Sequence, residues 1–86
     1  MSDKEGKLIG KVTHYFDNIE VMIVELIESL KAGDTIRIIG GESTDFEQKV
    51  GSMEVEHKKI DQAKKGESVG LETKEKVREG YKVYKI

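Results

Sequence analysis

Two imidazoles, His14 and His57, are the side chains of this chain best placed for chemistry near neutral pH. With Glu54 or Glu56 they would make a mixed nitrogen–oxygen ligand set for a divalent metal. Their spacing does not preform such a site. The two histidines stand neither i, i+2 on a strand nor i, i+4 on a helix. The sequence predicts partly buried, hydrogen-bonded histidines and no metal. Nucleophilic catalysis lacks its strongest candidate, since there is no cysteine. Ser29, Ser43, Ser52 and Ser68 fall near turns or bends, and none has a histidine beside it in sequence. With 17 Asp and Glu in 86 residues, no single carboxylate pair stands out as an acid–base couple. The expectation is a protein that is not an enzyme and uses no cofactor.

Polyanion binding has one better candidate. Lys58, Lys59, Lys64 and Lys65 cluster in one connection, and Lys74, Lys76 and Arg78 join them if the last two strands pair. If four lysines met single-stranded phosphates, affinity would fall about 50-fold between 50 and 200 mM salt. Tyr15, Phe16, Tyr81 and Tyr84 are candidate stacking partners for bases. The competing reading makes Phe16 a core residue and the tyrosines packing residues with wet hydroxyls. A net charge of −2 opposes a dedicated nucleic-acid binder. Charge is uneven, however: residues 1–44 carry five basic and eight acidic side chains, residues 45–86 ten and nine.

The elements that must position these residues are strands. Gly33, Gly66 and Gly80 each follow a charged lead-in and precede an alternating stretch: LKAGDTIRI, KKGESVGL and REGYKVYKI. Each glycine supplies a φ > 0 corner and each alternating stretch a half-buried strand. The strands predicted are 8–16, 20–27, 35–39, 45–57, 68–73 and 81–86. On the first, Leu8, Val12, His14 and Phe16 share one face. The second is apolar on both faces apart from its acids, so it should be central or covered on both sides. Asp17-Asn18 makes the turn between them, with Asn18 suited to the left-handed region. In the fourth the inward parity changes across Gly51, which predicts a bulge or sharp bend. The longer connection 57–66 holds Ile60 and Ala63 three apart, a spacing for one helical turn.

Six strands with short links point to a closed six-stranded antiparallel β-barrel spanning residues 8–86, behind a flexible 1–7. The longest apolar run is too short to span a bilayer, and the N-terminus MSDKEGK has no apolar signal segment, so a soluble cytoplasmic protein is expected.

The motifs carry a resemblance. LKAGDTIRIIG, SMEVEHKKIDQAKKGESVGL and VREGYKVYK resemble, in order, the turns and strands of domain 2 of elongation factor Tu-type translational GTPases, a small β-barrel. More loosely, the chain is similar to the small C-terminal barrel of collagenase-like peptidases. The first resemblance implies a binding or adaptor module linked to translation or RNA, with RNA or a ribosome-associated factor as partner. The second implies a protein-interaction accessory of a collagenase-like peptidase or RNA-modifying enzyme. No GTP binding carries over. Gly6-Lys7-Leu8-Ile9-Gly10-Lys11-Val12 is one residue too short between its glycines for a P-loop and ends in Val12 where magnesium needs Ser or Thr.

Overall fold

One turn design recurs three times and fixes the frame. The structure, a computed structural model, describes residues 6–56 and 58–86. In Lys31–Asp34, Lys64–Glu67 and Arg78–Tyr81 the fourth N–H donates to the first carbonyl, at 3.1, 3.1 and 3.3 Å. The third residue is Gly33, Gly66 or Gly80, with φ of 95°, 91° and 92°. A left-handed third position defines a type II turn and favours glycine there. In the first two turns an acid closes the loop. Asp34 Oδ2 accepts from the Lys31 N–H at 2.9 Å and Glu67 Oε1 from the Lys64 N–H at 2.8 Å.

Each turn clamps one buried aliphatic residue by the same two bonds. The N–H of Gly33 donates to the Val50 carbonyl and the N–H of Val50 to the Asp34 carbonyl, both at 2.8 Å. Gly66 and Glu67 hold Leu26 at 2.9 Å on both sides, and Gly80 and Tyr81 hold Val12 at 2.7 and 2.8 Å. Val12, Leu26 and Val50 are all core residues. The turns thus satisfy their backbone groups while stapling the sheet over its apolar interior.

The fold is all-β. Its strands are β1 Lys7–Phe16, β2 Val21–Leu26, β3 Leu30–Lys31, β4 Thr35–Gly40, β5 Thr44–Lys49, β6 Met53–Val55, β7 Lys58–Ile60, β8 Gln62–Ala63, β9 Ser68–Glu72 and β10 Lys82–Lys85. Eight form one antiparallel sheet in the order β5-β4-β10-β1-β2-β9-β6-β7, and β3 pairs with β8. The core is aliphatic, with Ile9, Met22, Val24, Leu30, Ile36, Ile38, Met53, Ala63, Val69 and Val83 fully covered.

The expected closed six-stranded barrel is corrected to a sheet whose ends, β5 and β7, do not pair with each other. The long fourth strand breaks at Val50–Ser52 into β5, at one edge, and β6, near the other. The gap is bridged by side chain rather than ladder. Gln48 Nε2 donates to the Glu72 carbonyl at 2.7 Å, and its Oε1 accepts from the Lys74 N–H at 3.0 Å. One side-chain amide thus stands in for a peptide unit across the seam.

Four smaller expectations also change. β1 shifts register between Leu8 and Gly10 and again between Val12 and His14. Each irregularity flips strand parity, so Ile9 and Val12 are buried while Leu8, His14 and Phe16 are exposed. The left-handed residue of the β1–β2 turn is Glu20, φ 57°, not Asn18. The connection after residue 57 forms β7 and β8 instead of a helical turn, because Ala63 pairs with Leu30 and both are fully buried. β1 starts at Lys7, inside the segment expected to be flexible, and residues 1–5 lie outside the described ones.

Candidate interaction face

The sequence-predicted cations are distributed over three separate segments. Lys58 and Lys59 lie on β7, opposite Val55 and Glu54 of β6. Lys64 and Lys65 belong to the type II turn beside Leu26. Lys74, Lys76 and Arg78 follow β9 in an irregular stretch that meets β5 at Gln48. The pairing expected to join the groups does not occur, since β1 and β2 separate β9 from β10. Gly51, proposed as a structural bend, lies in the link between β5 and β6 without positive φ.

His14 is exposed rather than partly buried. Its Nδ1 lies 3.5 Å from Glu79 Oε2, and its ring packs on Phe16 at 4.4 Å between centroids. His57 lies outside the described residues. On the other wing, Arg37 grips Asp45 across β4 and β5. Nε donates to Oδ1 and an NH2 nitrogen to Oδ2, both at 2.7 Å. These hydrogen bonds, reinforced by the guanidinium charge and opposed by partial desolvation, hold the Asp45 carboxyl below its ordinary 3.8.

A different surface is apolar and partly exposed. β2 sends Met22, Val24 and Leu26 inward and leaves Val21 and Ile23 half-buried on the outer face. Phe16 stands opposite Val21, and His14 opposite Ile23. Phe16 is 43% exposed and Ile19, in the turn, 64%. The core role expected for Phe16 is thereby corrected. β2 lies centrally, between β1 and β9, as one of the two expected arrangements, and its apolar outer side is only half-buried.

Two depressions border this strip. One of about 420 Å³ follows the seam and is lined by Ile19, Glu20, Gln48, Ser52, Glu72 and Lys74 among others. The second, about 160 Å³, is lined by Ile19, Val21, Ser52, Glu54, Gly70 and Glu72. Ile19, Ser52 and Glu72 belong to both. Sequence reasoning missed Gln48, Gly70 and the Val21–Ile23 face. The last had a signal in the double-sided apolar pattern of β2. An aliphatic strip with carboxylates at its margin can bury a partner's apolar side chains and pair its cations.

Comparison with known proteins separates the two resemblances. No protein-family model matches the chain. Over 76 residues, 88% of its length, it is 45% identical to an uncharacterized protease of Methanocaldococcus jannaschii. That stretch is 19% of the protease, so the chain spans about a fifth of this curated relative's length. Its fold matches the C-terminal domain of a Geobacillus thermoleovorans protein assigned as a U32 peptidase. The native crystal structure covers 100% of this chain and 97% of that domain at TM-score 0.85 and 19% identity. The selenomethionine variant covers 91% and 98% at TM-score 0.86, also at 19% identity. It shares the fold of a U32 peptidase C-terminal domain. This agrees with the looser, collagenase-like resemblance. The elongation-factor assignment is overturned by these similarities, which lend no support to its link to translation. The barrel motifs misled because they encode type II turns and alternating strands, an architecture that different functions reuse.

Proposed function

We propose that this chain is a non-catalytic accessory module of a U32-type, collagenase-like peptidase. It docks to the peptidase body through the outer face of β2. The observation that carries the reading is the 45% identity to a stretch making up 19% of a protease. A fifth of such a protein is the size of one small module, and the matching fold belongs to a domain named as C-terminal to a peptidase. The exposed Phe16 and Ile19 beside half-buried Val21 and Ile23 give the module an apolar surface for the contact.

The test is sedimentation of the chain with the M. jannaschii protease from which the matching segment has been deleted. A one-to-one complex is expected, with no hydrolysis of gelatin or peptides by the chain alone. A chain that sediments separately at tens of micromolar, or that cleaves peptides by itself, overturns the proposal.

A further inference from the structure

Neither the backbone angle nor the room for a Cβ requires glycine at position 70. It sits inside β9, paired with Ile23 of β2 and Glu54 of β6, and its φ is not positive. A Cβ there would meet Val21 Cγ1 at 3.5 Å, Ile23 Cδ1 at 3.7 Å and the Glu54 carbonyl oxygen at 3.8 Å, all ordinary contacts. Gly10 is different, because a Cβ there would lie 2.5 Å from the Glu25 carbonyl oxygen. Glycine inside a strand weakens it, and often marks a place where a ligand or another chain approaches closely.

The missing side chain opens the 160 Å³ depression described above. Its lining has two chemistries: the aliphatic Ile19 and Val21, and the carboxylates Glu54 and Glu72. Lys59 stands opposite Glu54 in the ladder. Among the described residues, however, neither carboxylate makes an ion pair. An apolar partner covering them would strand two charges away from water, which is strongly unfavourable. A cation on a long aliphatic stem satisfies both chemistries, because its methylenes lie on apolar surface while its head reaches the carboxylates.

We propose that the Gly70 depression receives an arginine or lysine side chain from an apolar segment of the partner. The stem lies along Ile19 and Val21 and the head pairs with Glu54 and Glu72, while Phe16 and Ile23 meet the neighbouring apolar side chains. The identity of that partner, the peptidase body, rests on the functional reading above; the pocket chemistry does not.

Two peptides test the pocket directly: acetyl-Leu-Arg-Leu-amide and acetyl-Leu-Glu-Leu-amide, each titrated into the whole chain and followed by NMR. The arginine peptide is expected to shift Val21, Ser52, Glu54, Gly70 and Glu72, and the glutamate peptide to leave them unmoved. Gly70→Leu fills the depression without backbone strain, so it should keep the melting temperature and abolish these shifts. Glu54→Gln with Glu72→Gln should abolish them with the depression still open. Equal response to both peptides, shifts confined to other surfaces, or undiminished shifts in both variants overturn the pocket. On the truncated protease, Gly70→Leu should weaken binding at least about tenfold, the scale of losing a paired charge at an interface. Protease binding that survives Gly70→Leu removes the pocket and leaves the proposed function standing. Arginine-peptide binding without protease binding does the reverse.

Discussion

Asp45 remains ionised further into acid than a free aspartate because Arg37 holds both of its oxygens. The folded value is depressed, so the linked stabilisation is present above the unfolded value of 3.8 and is lost as pH falls through the folded one. A carboxyl-carbon NMR titration should place the Asp45 midpoint below 3.8, and Arg37→Gln should return it toward that value. The pair is solvent-exposed, so its effect on overall stability near neutral pH should be small. The glycines give a sharper contrast. Gly33→Val forces a β-branched residue to φ 95° and should cost at least ~1–2 kcal/mol in urea unfolding. Gly51→Ala, at ordinary φ with open space around the new methyl, should change stability little. Gly33, Gly66 and Gly80 were legible because each stands between a polar lead-in and an alternating strand. Gly70 was not, because nothing in VGL tells a glycine kept for the backbone from one kept for a partner. Only the space around a built Cβ separates the two cases.

At the scale of elements, strand positions were largely readable and strand faces were not. The alternation of TIRII and SVGLE survives into β4 and β9 because neither strand shifts register along its ladders. In β1 two register shifts invert the expected face, and a bulge leaves no mark in the pattern of apolar and polar residues. That the sheet stays open between β5 and β7 was likewise beyond the sequence. β5 instead meets the end of β9 through Gln48, an unremarkable polar residue until its amide is seen between Glu72 and Lys74. Gln48→Ala removes both bonds and should cost about 1–2 kcal/mol, near 1 per bond. Amide exchange at Lys74, whose N–H donates to Gln48, should quicken more than exchange at Ile38 in the β4 ladder. Unchanged exchange at Lys74 would show that β5 and the end of β9 are held together by other contacts.

For the molecule as a whole, the all-β fold was legible and its setting was misread. Turn motifs report corners, and the same corners serve modules of translation factors and of peptidases. The clue nearer to function was physical: β2 is apolar on both faces, yet its outer face is only half-buried. Placing that open face against a peptidase body accounts for the double-sided pattern, the exposed Phe16 and Ile19, and the empty space at Gly70 together. Isoleucine methyls report on each region at once: Ile19 and Ile23 on the proposed docking face, Ile27 and Ile86 exposed elsewhere, Ile9 and Ile36 in the core. The most direct measurement is the isoleucine-methyl NMR spectrum of the chain as the segment-deleted M. jannaschii protease is added. The prediction is saturable shift or broadening led by Ile19 and Ile23, with Ile27 and Ile86 keeping their shifts. A spectrum unchanged at equimolar protease, or one in which only Ile27 and Ile86 respond, would contradict the account.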